Sequence, residues 1–257
     1  MTASRHAIFL LVAAIVLAGA MGTANSSFSV QGINTTVQLY PNTTGHVTEI
    51  INISVSNQSV SQYSTDRVAL NLTLSDWQSL VGPQLVEHII NPKSSSYGFH
   101  FIPGPMQKGP NGNYAYLLLS YNVPNVTTLT RTGPRTFAYA FSPSVFNFEH
   151  GASGQVLPYD TTLQIILPAG SQIQTVYPIP DYPTVGFTNG YKNVTSLLWF
   201  NGEPLSKFTL RFTITESLSS EVSAFFLQLY GILGIWTYVI VAVAIVLFVT
   251  YTYLRAR

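Results

Sequence analysis

The sequence predicts an all-β ectodomain, an antiparallel β-sandwich of one or two modules, followed by one C-terminal transmembrane α-helix. Three observations predict it: an apolar run at 224–254 without a charged side chain, an alternation of period two beginning at Phe28, and turn signals between the alternating stretches. A helix crossing the hydrocarbon core needs about 20 mainly apolar residues, because each adds roughly 1.5 Å to a layer about 30 Å thick. The run is long enough, with tilt to spare. Tyr230 stands towards one end and Tyr251 and Tyr253 at the other, where amphipathic rings favour the headgroup zone. Glu216 and Glu221 precede the run while Arg255 and Arg257 follow it. That asymmetry makes residues 255–257 a cytoplasmic tail and puts the preceding chain outside the cell membrane.

Composition narrows the classes. Only 8% of the 257 residues are charged, against about 25% in ordinary globular proteins. Between Asn25 and Val222 there are eight Lys or Arg against ten Asp or Glu, a net of −2 with His neutral. Such a surface offers no electrostatic footprint for nucleic acid. Cysteine is absent, which excludes a disulfide framework, thiol catalysis, Cys-ligated zinc and copper sites built on a thiolate.

Taken in order, residues 1–24 read as a secretory signal peptide. Arg5 supplies the positive start, 7–20 is an apolar stretch of 14 residues, and small residues follow at Ala18-Gly19-Ala20 and Gly22-Thr23-Ala24. Either triplet fits cleavage, and the second is preferred; the other reading is an uncleaved anchor, for which 14 residues are short. Beyond it, Val68, Leu70, Leu72 and Leu74 alternate with Arg67, Ala69, Asn71 and Thr73, as a strand with one buried face requires. The same alternation runs through 27–40, 46–57, 114–121, 136–141, 161–167, 173–177, 194–200 and 207–215. Asn189-Gly190 and Asn201-Gly202 fall between such runs, and Asn-Gly favours a hairpin because a type I′ turn needs positive φ at both central residues. Outside the membrane run, one short helix is predicted over 75–80, where Ser75 and Gln78 have capping-box spacing.

The stretch 91–113 is rich in Gly and Pro and marks the expected division. It separates a sequon-rich β module over 25–105 from a β-sandwich module over 106–222, with the membrane helix at 223–254; a single sandwich with a long insertion is the other arrangement.

The most specific motif is the N-glycosylation sequon Asn-X-Ser/Thr. It occurs at Asn25, Asn34, Asn42, Asn52, Asn57, Asn71, Asn125 and Asn193. Chance in a chain this rich in Ser and Thr gives roughly three. Asn52 and Asn71 each lie between two apolar residues and would project from the solvent face of a strand, where glycan leaves the core undisturbed. N-linked glycans are therefore expected partners, with the membrane and envelope or membrane-complex proteins.

Histidines and acids invite a second reading, an extracytoplasmic metal-binding or enzymatic subunit using His46, His88, His100, Glu149 and His150. The adjacent pairs His46 with Glu49, Glu87 with His88, and Glu149 with His150 have spacings that point apart on a strand. None has a recognised ligand spacing, and neither a nucleophile elbow nor a phosphate-cradling loop occurs. No cofactor, metal or catalytic residue is expected, and the enzyme reading requires at least three of those five side chains in one concave site. Aromatics crowd 97–148, from Tyr97, Phe99 and Phe101 to Phe146 and Phe148, and read either as core faces of strands or as a platform for sugar or protein.

At Leu157-Pro158-Tyr159, Ile166-Leu167-Pro168-Ala169-Gly170, Tyr177-Pro178 and Trp199, the chain resembles archaeal single-pass cell-surface glycoproteins with a β-sandwich ectodomain. The resemblance implies an envelope location and an adhesive, structural or complex-supporting role. It carries no catalytic residues over to this sequence.

Overall fold

The computed structural model of the chain describes residues 28–69, 71–152, 154–183, 194–200 and 202–255. The signal segment at 1–24, the sequons at Asn25 and Asn193, and the turn Asn189-Gly190 lie outside them. The described chain is mostly β, with largely antiparallel sheets and an apolar helix at its C-terminal end.

Thirteen strands are described: β1 (Phe28–Leu39), β2 (Gly45–Val55), β3 (Tyr97–Pro103), β4 (Gln107–Gly109), β5 (Gly112–Val123), β6 (Thr127–Arg131) and β7 (Thr136–Phe141), then β8 (His150–Gly151), β9 (Gly154–Gln155), β10 (Thr161–Ile166), β11 (Ser171–Tyr177), β12 (Ser196–Phe200) and β13 (Thr209–Thr215). The larger sheet runs β12, β10, β1, β2, β5, β3, with β4 also on β5, and a second runs β11, β13, β7, β6. One pairing departs from the expected antiparallel pattern: β1 and β10 are parallel, Ile33 opposite Thr161 through to Gln38 opposite Ile166. The expected division near residues 105 and 106 falls between β3 and β4, both of which hydrogen-bond to β5.

Alternation does the local work. In β2 the residues Gly45, Val47, Glu49, Ile51, Ile53 and Val55 are buried, and those between them reach solvent to some degree. The inward row meets two covers. Val37, Leu39, Val47, Leu119, Tyr121 and Val123 form one cluster with Tyr139, Phe141, Ile173, Leu210 and Phe212 of the second sheet. Phe28, Ile51, Ile53, Val55 and Leu117 instead meet Tyr63, Trp77 and Val81 from two short helices, α1 (Val60–Val68) and α2 (Leu74–Val81). Each fully buried apolar side chain contributes about 1.5–3 kcal/mol, so each cover suffices to keep its half of the sheet dry.

These helices overturn the expected strand around residues 67–74. Val68 ends α1 and is 68% exposed, while Leu72 and Leu74 are half-buried against the second cluster. Period two over four apolar residues does not distinguish a strand from the end of one helix and the start of the next, where Leu72 and Leu74 tuck in, and capping decides here. The box is Thr73 with Asp76, not Ser75 with Gln78: the Thr73 amide and hydroxyl both donate to the Asp76 carboxylate, at 2.8 and 2.7 Å. Likewise 91–113 is not simply a loop, because β3 and β4 form within it at the sheet edge, where Pro103 ends a strand at little cost. Of the turn Asn201-Gly202, Asn201 lies outside the described residues. Gly202 does have positive φ, but β12 and β13, which flank it, belong to different sheets.

The apolar run is broken in two. α3 (Leu218–Leu233) and α4 (Trp236–Arg255) are separated at Gly234, whose φ of +59° lies in the left-handed region that glycine adopts without penalty. The Gly234 amide donates to the Tyr230 carbonyl at 2.8 Å, closing α3. The single helix expected over 223–254 is therefore corrected to a 20-residue candidate span, α4, of mean hydropathy 2.1, with a second apolar helix before it.

The Thr73 hydrogen bonds, first the backbone and then the hydroxyl, hold the Asp76 carboxyl below its ordinary value. A depressed carboxyl stabilises the fold above its unfolded value and ceases to do so as pH falls through the folded one. Thr73→Ala should lower stability by about 1 kcal/mol at neutral pH. The difference from wild type should shrink as Asp76 protonates in acid, which chemical denaturation at a series of pH values will read.

Candidate functional site

The polar centre of the molecule lies inside it. Glu49 occupies the buried phase of β2 between Val47 and Ile51, which belong to different apolar clusters, and it is fully buried. Three donors converge on it. The His88 backbone N–H reaches Oε1 at 2.9 Å, the His88 Nδ1 lies 2.6 Å from Oε2, and the Tyr121 hydroxyl donates to Oε1 through a very short bond. The Tyr121 oxygen accepts in turn from the Ile89 amide at 3.2 Å. Burial, and then the Glu49 charge beside it, push the Tyr121 hydroxyl far above its usual value, so the phenol stays a donor.

The segment carrying His88 has no regular structure of its own and is pinned from the far side. The His88 carbonyl accepts from the Asn147 amide at 2.8 Å, the Asn147 side chain donates to the Glu87 carbonyl at 3.0 Å, and the Ile90 amide bonds the Val145 carbonyl at 2.7 Å. The imidazole stacks on Phe148 with ring centres 5.1 Å apart. Because an ionised carboxylate only accepts, Nδ1 carries the hydrogen towards Glu49.

His88 forms part of the wall of a cleft of about 630 Å³, whose other lining residues include Gln31, Gly32, Gln84, Glu149, Tyr159 and Asp160. Its volume is in the range of small-molecule sites. The rim is shaped by a bulge in β1 between Val30 and Gly32. There the Asp160 carbonyl accepts from the Ile33 amide at 2.9 Å, so close that a Cβ on Gly32 would sit 2.8 Å from that oxygen.

Of the five side chains of the enzyme reading, His88 and Glu149 line this cleft and the other three do not. His46 sits 3.0 Å from the Asn122 amide oxygen, His100 lies on β3 opposite Ser120, and His150 lies in β8 opposite Gln155. The adjacent pairs do not form: Glu49 joins His88, 39 residues away, and not His46. Among the described residues no group of three His, Asp or Glu is arranged to hold a metal ion. Sequence reasoning missed the Glu49 centre, although one signal was present, since Glu49 shares its strand parity with Val47, Ile51 and Ile53.

The sequon asparagines Asn34, Asn42, Asn52, Asn57, Asn71 and Asn125 are all exposed, Asn71 in a turn and not on a strand. Asn193 is outside the described residues. The aromatics divide: Tyr121, Tyr139, Phe141, Phe146 and Phe148 are buried, whereas Tyr97, Phe99, Tyr114 and Tyr116 are exposed along β3 and β5. Compared with protein-family models and with curated proteins, the chain matches none at a significant level.

Removing the carboxylate alone leaves buried donors without an acceptor, which costs about 3–5 kcal/mol when the pair is ionic. Glu49→Leu should therefore be strongly destabilised in urea denaturation. Adding Tyr121→Phe and His88→Phe to the same chain should recover part of the loss, because the unpaired side-chain donors are then gone.

Proposed function

We propose that the protein is a membrane-anchored, extracellular, N-glycosylated module of the cell envelope, working by binding or scaffolding, alone or as an accessory subunit of a membrane complex. The observation that carries this reading is α4. It is long enough to cross a bilayer, only 7% of its apolar stretch is buried by the rest of the chain, and it follows on a β-rich body. A core helix of a soluble protein would be covered by its own fold. The two packed sheets then read as a sandwich ectodomain. Arg255 at the end of α4, with Glu216 before α3, supports a cytoplasmic C-terminus, and residues 1–24 serve as the signal that exports the rest. Exposure of every described sequon asparagine is what glycan attachment requires, and it supports the extracellular assignment.

The protein should stay in the membrane fraction through alkaline carbonate extraction. On intact cells, external protease should remove the ectodomain and leave a C-terminal tag protected. The intact mass should exceed that of the unmodified polypeptide and fall stepwise as sequons are changed from Asn to Gln. Release by carbonate, or a tag cleaved from outside, would refute the anchoring.

A further inference from the structure

We infer that α3 lies along the outer membrane surface, with its apolar stripe in the boundary between lipid headgroups and acyl chains. This rests on the anchoring proposed above and goes beyond it in giving α3 a lipid contact of its own. Length is the first reason. Trp236 and Tyr238 stand at one end of α4 and Tyr251 and Tyr253 at the other, all of them exposed. From Trp236 to Tyr253 is about 26 Å of helix at 1.5 Å per residue, close to the thickness of the hydrocarbon core. Such rings favour the two headgroup zones, so α4 alone fills the bilayer from one zone to the other. Yet the uncharged run begins at Ala224, and its first part falls outside the slab that these rings mark.

The break at Gly234 turns that part aside. Across it the Tyr230 and Tyr238 rings meet with centres 5.8 Å apart. In one unbroken helix those residues would stand about 12 Å apart along the axis, so their contact records a bend. α3 also carries the pattern of a helix lying in an interface. Val222, Phe225, Phe226, Leu229, Ile232 and Leu233 recur at spacings of three and four and make one stripe. Ser223, Leu227 and Gly231 fall one turn apart on the opposite side, where Leu227 is the one large apolar residue. The stripe is not covered by the fold, with Phe225 58% and Ile232 73% exposed. Because α3 is joined to α4 at the depth of Trp236 and Tyr238, the apolar boundary of the same leaflet lies within its reach. α3 has no Lys or Arg, so the contact is made by apolar burial and not by lipid charge.

The chain has no cysteine, so single cysteines can report on depth. V222C, F226C, L229C and L233C sample the stripe, S223C and L227C the opposite side, and L247C the middle of α4. Each is labelled with an environment-sensitive fluorophore on the full chain in phosphatidylcholine nanodiscs. All seven positions are exposed or half-buried, so the labels leave the ectodomain fold intact. The stripe labels are expected to emit to the blue and to be quenched by lipid carrying a nitroxide near its headgroup. The S223C and L227C labels are expected to stay red and to be quenched by iodide in the water. A stripe open to iodide would overturn the inference, and so would quenching of both rows by a nitroxide at the chain end, which would make α3 a second span. The L247C label reads the anchoring separately. If it is lipid-buried while the stripe is wet, the surface contact alone fails; if it is open to iodide, the anchoring fails and this inference with it.

Discussion

The structure depends on one carboxylate satisfied at the middle of its sheet. Charge on the inward face of a central strand is affordable only when donors meet it, and Glu49 has three. They come from two directions, Tyr121 on the neighbouring strand and His88 on an irregular segment, so the bonds fix that segment to the sheet. They also sit where the two apolar clusters meet, Val47 on one side and Ile51 on the other. The polar centre is thus a register mark: shifting β2 by one residue would turn Glu49 outward and leave His88 and Tyr121 facing alkyl groups.

From this follows the division of labour along the larger sheet. One end is closed by the second sheet through rings such as Tyr139 and Phe212, stacked with centres 5.0 Å apart. The other is closed by α1 and α2, where Phe28, Tyr63 and Trp77 pack edge to face or tilted, and the Tyr63 hydroxyl donates to the Gly104 carbonyl at 2.8 Å. Burial raises the Tyr63 hydroxyl to about 12, which keeps it a donor in any ordinary medium. The cleft lies where the irregular segment passes β1, and its chemistry is therefore tied to the same carboxylate that organises the core.

What was legible in the sequence was whatever alternation writes down. β1, β2, β5, β7 and β10 to β13 each show period two, because one face meets a core and the other water. β3 was not legible: it is an edge strand among prolines and glycines, and edges need not alternate. α1 was hidden for the opposite reason, since Tyr63 is its one buried residue and its polar remainder carries no stripe. Gly234 was visible as a residue but not as a break, since an unbroken hydropathy run does not record φ. The sequons were fully legible as positions, and their exposure follows from lying on outer faces and turns. The candidate site was legible only in part. Glu49 stands in the apolar phase of its strand, but its partner is distant in the chain, and no local spacing points to His88.

The parallel pairing of β1 with β10 has a consequence in time. A chain made from its N-terminus exposes residues 28–39 long before residues 161–166 exist, so one edge of β1 must wait, unpaired, while residues 40–160 are made. The face it will share with β10 is open during that interval and closed after it. Asn34 lies there, and in the finished fold its side-chain oxygen accepts from the Thr162 hydroxyl at 2.8 Å. Whatever reaches Asn34 first, an enzyme or β10, meets a different substrate: a bare extended segment in one case, a completed sheet in the other.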